Sequence, residues 1–246
     1  MGDIIKKVPI PTAGVALGLA ALGNLLVAWS WPLQALCGTL SLCLVVLLGC
    51  KIILYPKMIR DDLKNSILAS VSGTLFMTLM QLSTYLAPHA YEVANCLWAL
   101  AVIGHVGLIV WFTATYIRAF KLHEVFPTYF ICYVGIIVAS VTSATFGQQT
   151  IGWVLFWFGF VCYVLLFALV TYRYAKHEVP EAARPLFCIY AAPMSLSLVG
   201  YLAVAEQPSA LFVAVLLVLA QLLYFFVLFH LPKFISPIVL VIVQPV

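Results

Sequence analysis

The chain has 246 residues, of which 65% are hydrophobic and only 8% are charged. Twelve Lys and Arg residues against eight Asp and Glu residues give a formal net charge of +4. Too few polar side chains are present to cover so much apolar surface, which excludes a soluble enzyme, a nucleic-acid-binding protein and a disordered chain. The composition is that of an integral membrane protein in contact with a lipid bilayer.

Eight stretches are long and apolar enough to cross a bilayer as helices, for which about 20 residues are needed. In chain order they are spans 1 to 8, at residues 11–29, 33–54, 66–86, 93–117, 127–146, 150–172, 186–204 and 209–230. Lys51 is the one charged residue within these stretches. The sequence therefore predicts an all-α, polytopic membrane bundle at 11–230, preceded by a short N-terminal segment at 1–10.

The connections between the predicted spans alternate between short and long, and short links join antiparallel neighbours. This pattern predicts four helical hairpins, formed by spans 1 and 2, 3 and 4, 5 and 6, and 7 and 8. All twelve basic residues fall on the side of the N-terminus and the long connections. The positive-inside rule then places residues 1–10 in the cytoplasm, with the bundle in the cell (inner) membrane.

The predicted hairpins start at residues 11, 66, 127 and 186, which indicates one repeated two-helix unit. Residues 231–246 are apolar after Lys233 but too short for a further full span. We interpret them as a truncated ninth-helix stub, the start of a fifth hairpin. The alternative is a natural eight-helix protein with a tail at the membrane interface.

Hydroxyl residues are distributed unevenly between the spans. The odd-numbered spans hold 15 Ser and Thr in 79 residues, whereas the even-numbered spans hold 7 in 92. Polar and small residues in a membrane face protein or water rather than lipid. We therefore expect the odd-numbered spans to form an inner layer and the even-numbered spans to form an outer layer against the lipid.

The polar residues of span 3 recur every three or four positions and share one helix face. Together with small and hydroxyl residues of spans 1, 5 and 7, they predict an uncharged passage whose hydroxyls can donate hydrogen bonds to an anion. The alternative interpretation is ordinary hydrogen bonding between helices. The candidate pore-lining residues are Gly14, Gly18, Ser70, Thr74, Thr78, Gln81, Ser140, Ser143, Ser195 and Ser197, the last two after a predicted helix kink at Pro193.

His105 is the one ionisable side chain near the middle of a predicted span. Intramembrane ionisable residues are candidates for function, so a proton relay is one interpretation of His105, and a packing role is the other. The sequence contains no motif of a catalytic site, a phosphate-binding loop or a metal site. We therefore predict neither an enzyme nor a bound cofactor or metal.

Three parts of the chain resemble the tellurite-resistance/dicarboxylate transporter family, which includes the slow-type anion channels of plant guard cells. Val8–Gly14 and Leu17–Asn24 are similar to the first helix of that family, Val125–Ser143 to its fifth helix and Arg184–Leu202 to its seventh. The likeness runs from about residue 8 to residue 233, which is nearly the whole chain.

The resemblance implies ten helices in five hairpins, with odd-numbered helices around a pore and even-numbered helices outside. It also implies a homotrimer of independent pores that pass small anions such as C4-dicarboxylates or halide-like ions, and no nucleic-acid partner. Members of the family close the pore with a Phe on the ninth helix, and no residue of this chain can be assigned that role. The alternatives are a proton-coupled organic-anion carrier and a truncated, non-conducting remnant.

Overall fold

The computed structural model describes the backbone of residues 2–243 and the side chains of residues 5–231. This described part is helical and contains no β-strand. The spans lie at Thr12–Leu26 (span 1), Trp31–Leu54 (span 2), Ser66–Val71 with Gly73–Leu86 (span 3), Tyr91–Phe112 (span 4), Tyr129–Tyr133 with Ile137–Ser143 (span 5), Gln149–Lys176 (span 6), Ala192–Val204 (span 7) and Ala210–Val243 (span 8).

Shorter helical segments extend or connect the spans. They are Gly2–Lys7 and Pro56–Asp62, the π-helical turn Thr113–Ile117 after span 4, and the 3-10 segments Leu122–Glu124, Ala144–Phe146 and Glu181–Ala191. Within the described residues, seven helices are long and apolar enough to cross a membrane: spans 2 to 8, with spans 4, 5 and 7 counted together with their adjoining segments as Tyr91–Ile117, Tyr129–Phe146 and Glu181–Val204. Span 1 is a shorter apolar helix of 15 residues. The predicted all-α polytopic bundle is confirmed.

Two helices extend beyond their predicted C-terminal ends. Span 6 continues to Lys176, which places Arg173 inside the helix rather than in the following connection. The span 8 helix does not end at residue 230, because its backbone remains helical to Val243 through most of the predicted stub. Residues 244–246 of that predicted segment lie outside the described residues.

Each predicted hairpin forms, with spans 1, 3, 5 and 7 packed against spans 2, 4, 6 and 8 respectively. Span 3 also packs on span 1 and on span 5, and span 5 packs on span 7. Spans 1, 3, 5 and 7 thus form a continuous layer, called here the inner arc. In the most apolar 18-residue stretch of the long spans, 61% of span 3, 72% of span 5 and 39% of span 7 are buried, against 33% or less in the even-numbered spans. The predicted inner and outer layers are therefore present.

Local sequence signals set the ends of the inner helices. Asn65 precedes span 3, and its side-chain oxygen accepts hydrogen bonds from the amides of Ile67 and Leu68 at 2.9 and 3.3 Å. This is an N-cap, which satisfies amides that have no partner within the helix. Gly147 ends span 5 with a φ of 65°, a left-handed conformation that glycine adopts without steric cost. The chain can therefore turn directly into span 6.

Lys51 is buried at the end of span 2, although it carries a charge. Its Nζ donates to the carbonyl of Val8 at 2.8 Å and lies 3.4 Å from a carboxylate oxygen of Asp62. The one charged residue of the predicted spans therefore ties the segment before span 1 to the connection after span 2. A buried charge held in this way is compensated by its partners.

Candidate functional site

Span 5 is interrupted in the middle of the inner arc. Tyr129–Tyr133 and Ile137–Ser143 are helical, and the three residues between them form turns and are buried. The amide of Gly135 donates to the carbonyl of Phe130, five residues back, at 3.1 Å, so the regular helical ladder is lost. Irregular backbone at membrane depth is tolerated where protein encloses it or where it lines a cavity.

His105 of span 4 lies against this break. Its Nε2 donates to the carbonyl of Cys132, in the last helical turn before the break, at 2.8 Å. The imidazole is fully buried, and Nδ1 has no hydrogen-bond partner among the described residues. The Nε2 contact satisfies a buried carbonyl, as the packing interpretation requires, while the partnerless Nδ1 leaves the proton-relay interpretation open.

Span 3 carries a line of buried hydroxyls formed by Ser70, Thr74 and Thr78, each at most 5% exposed. Each hydroxyl donates to a carbonyl three or four residues earlier in the same span, at 2.6 to 2.8 Å. The hydroxyl of Thr78 also reaches the carbonyl of Ala13 in span 1 at 3.1 Å. The predicted face of span 3 therefore points into the inner arc, toward span 1.

Gln81 lies one turn further along the same face and is buried. Its side-chain oxygen accepts a hydrogen bond from Nδ2 of Asn24 at 2.6 Å, and the hydroxyl of Thr84 accepts a second bond from the same amide at 3.0 Å. Asn24 is not among the pore-lining residues predicted from the sequence. The available signal was an isolated amide side chain in an otherwise apolar span, because such groups find a polar partner within the membrane.

The two predicted glycines of span 1 differ in surroundings. A methyl group added at Gly14 would lie 3.9 Å from the Cγ2 atom of Thr74, in ordinary contact with the hydroxyl line of span 3. A methyl group added at Gly18 would meet no other atom within 4 Å. Gly14 therefore faces the packed part of the inner arc, whereas Gly18 faces open space.

Ser140 and Ser143 of span 5 are both fully buried. The hydroxyl of Ser140 donates to the carbonyl of Gly152 in span 6 at 2.7 Å, and that of Ser143 donates to the carbonyl of Ser140 at 2.8 Å. Between these positions, the hydroxyl of Thr142 accepts a hydrogen bond from Nε1 of Trp98 in span 4 at 2.8 Å. The hydroxyls of span 5 thus form hydrogen bonds within their own helix and with spans 4 and 6.

The two serines of span 7 lie on different faces. Ser197 is buried and donates to the carbonyl of Pro193 at 2.8 Å, whereas Ser195 is exposed and donates to the carbonyl of Ala191 at 3.3 Å. Pro193 stands in the first turn of the α-helix Ala192–Val204, directly after a 3-10 segment. At the predicted kink the helix therefore changes from 3-10 to α. Proline is tolerated there, because a residue in the first turn of an α-helix has no backbone hydrogen bond to lose.

The structure brings most of the predicted polar residues into one buried layer, with Ser195 and Gly18 on its exposed sides. The helices of the inner arc contain no charged residue. No cluster of three His, Cys, Asp or Glu side chains able to hold a metal occurs among the described residues. A hydroxyl rotates about its C–O bond, so the proton that now serves a helix carbonyl can also serve an anion.

A family model of voltage-dependent anion channels matches residues 7–245. The chain belongs to the voltage-dependent anion channel family. The match covers nearly the whole chain and confirms the resemblance that the sequence indicated. Membership identifies a multi-pass membrane protein of a class that contains channels and transporters for anions rather than enzymes. No curated protein matches the sequence.

Proposed function

We propose that this family member conducts small anions across the membrane through a passage enclosed by the inner arc. The observation that carries the proposal is the line of buried hydroxyls in span 3, in a layer without charged residues. Fixed acidic groups would repel an anion, and a fixed basic group would retain it. Hydroxyl dipoles attract an anion without holding it, which suits rapid passage.

Each hydroxyl can exchange its present hydrogen bond for a bond to an anion at a small cost in free energy. Each hydroxyl donates to a carbonyl of its own helix, and carbonyls in a helix interior also accept a backbone amide. Releasing one such neutral bond costs about 0.5–1.5 kcal/mol, whereas a bond to a charged group contributes about 1.5–3 kcal/mol. Because the hydroxyls are buried, the inner arc must widen before an anion can pass.

Replacing Thr74 and Thr78 by Val tests the proposal, because Val keeps the shape of Thr and removes the hydroxyl. We expect the double variant to reduce chloride and nitrate flux into proteoliposomes at least tenfold. Thr39→Val is the matched control. Thr39 donates to the carbonyl of Ala35 at 2.8 Å in the same way, but it is exposed on the outer span 2.

The control should conduct like the unmodified protein. Wild-type flux in the Thr74 and Thr78 variant, with normal reconstitution, would remove the hydroxyl line of span 3 from the pathway. An equal reduction in the Thr39 variant would assign the effect to helix stability rather than to the passage.

A proton-coupled organic-anion carrier is the second candidate function. It is favoured by His105, which is buried in span 4 with Nδ1 free of a partner among the described residues. This candidate predicts that an imposed pH gradient drives anion uptake without an anion gradient, and that His105→Gln abolishes this uptake. Currents that reverse at the anion's own equilibrium potential at every pH gradient would reject it.

The substrate, the assembly and the orientation complete the proposal. The family resemblance supports C4-dicarboxylates or halide-like ions as substrates and a homotrimer as the assembly. Competition of malate with chloride uptake and the mass of the purified complex test these two points.

The one-sided basic residues support a cytoplasmic N-terminus in the cell (inner) membrane. Protease access to an N-terminal tag, in intact cells and in inverted vesicles, tests the orientation.

A further inference from the structure

Arg173 is enclosed near the end of span 6, with 1% of its surface exposed. Its Nη2 donates to the carbonyl of His123 at 3.1 Å. The guanidinium carbon lies 4.6 Å from the centre of the Phe126 ring and 5.2 Å from the centre of the Tyr174 ring. The segment that leads into span 5 therefore closes over the guanidinium, 50 residues away in sequence.

No acidic side chain among the described residues pairs with this guanidinium. A guanidinium has five N–H donors, and those on Nε and Nη1 of Arg173 have no hydrogen-bond partner among the described residues. In the same part of the chain no carboxylate lies within 4.0 Å of Arg173. The nearby Glu124 is bound to Lys121 at 3.0 Å. The aromatic faces attract the cation, but they accept no N–H bond in the plane of the guanidinium.

Two hydroxyls on the elements that meet at Arg173 are also buried without a partner among the described residues. One belongs to Tyr174, whose ring contacts the guanidinium, and the other to Thr128, two residues after Phe126 in the covering segment. Buried polar groups without a partner are uncommon in native proteins and point to a bound water or ion. The unsatisfied Nε and Nη1 groups of Arg173 can only donate and belong to a cation, so their complement is an anion.

We infer that a small inorganic anion, of the size of chloride or nitrate, binds the guanidinium of Arg173 beneath the segment His123–Thr128 and acts as its counter-ion. Planar oxyanions suit the forked N–H groups of arginine. The guanidinium is enclosed within one chain, which excludes large organic anions and a carboxylate of a second chain. The inference does not depend on the proposed passage, because Arg173 lies on span 6 outside the inner arc.

Thermal unfolding of the purified protein in detergent, at equal ionic strength in sodium nitrate and in sodium gluconate, tests this site. We expect a higher Tm in nitrate, rising to saturation with concentration, because the anion binds the folded state. Arg173→Met should abolish the difference and should be as stable as the unmodified protein in gluconate, because it removes an uncompensated charge. Arg184→Met is the control and should keep the nitrate effect, since Arg184 is exposed.

Three results would overturn the inference. Equal Tm of the unmodified protein in both salts would indicate a buried water instead of an anion. An equal loss of Tm in both salts for Arg173→Met would show that the arginine only packs and donates to His123. If Arg173→Met does not fold, Arg173→Lys replaces it, and an unchanged nitrate effect there contradicts the role of the guanidinium fork. None of these results depends on anion flux.

Discussion

Gly135 lies at the centre of the break in span 5, and its lack of a side chain is required by close packing. A methyl group added there would collide with the carbonyl oxygen of Ile131 and would lie 2.6 Å from the sulfur of Met77. The methionine side chain can move away, but the carbonyl belongs to the backbone of the same span. Gly135→Ala should therefore force the two halves of span 5 apart.

The expected destabilisation follows from this geometry. Forcing an extra methyl group into a packed interior lowers the free energy of unfolding by about 1–3 kcal/mol. Because the backbone carbonyl beside Gly135 cannot easily move, we expect a loss of about 2–3 kcal/mol. In a chain of this length 1 kcal/mol shifts the Tm by about 2–4 °C. We therefore expect Gly135→Ala to lower the Tm by about 4–12 °C.

Thermal unfolding in detergent measures this change, with Gly107→Ala as the control. Gly107 lies inside the span 4 helix, and a methyl group added there meets no atom within 4 Å. Alanine is the better helix former by about 1 kcal/mol, so the control should be as stable as the unmodified protein or more stable. If Gly135→Ala also leaves the Tm unchanged, close packing at Gly135 does not determine the shape of the break in span 5.

Two hydrogen bonds within the bundle give further predictions. Asn24→Leu leaves the oxygens of Gln81 and Thr84 without their shared donor and should lower the free energy of unfolding by about 1–3 kcal/mol in denaturant titrations. Thr142→Val should cost a similar amount, about 1–3 kcal/mol, because Nε1 of Trp98 then lacks an acceptor, and adding Trp98→Phe should recover part of this loss. If the two substitutions change the free energy of unfolding additively, the hydrogen bond between Trp98 and Thr142 does not contribute to stability.

The positions and layers of the spans could be predicted because they depend on properties that the sequence carries directly. Length and hydrophobicity determine which segments cross a bilayer, since the backbone must satisfy its own hydrogen bonds there. The excess of Ser and Thr in odd-numbered spans indicated the inner layer, because those hydroxyls bond to neighbouring protein. Thr78 and Ser140, which contact spans 1 and 6, show this directly.

The breaks and the buried arginine could not be predicted, because they arise from contacts between distant segments. No proline lies at the break near Gly135, which instead depends on a close approach to Ile131 and on the bond from His105 to Cys132. Arg173 is polar and close to a predicted helix end, so nothing local indicates that the segment before span 5 covers it. Contacts of this kind are fixed by packing rather than by periodicity.

If the bundle passes anions, an anion gradient across liposomes that contain the purified protein must generate an electrical potential. With a tenfold nitrate gradient and impermeant cations, we expect a potential near 59 mV in size that follows the nitrate gradient, from the relation between concentration ratio and potential for one charge. The same potential should persist when the pH gradient is reversed. A potential no different from that of protein-free liposomes would contradict the account.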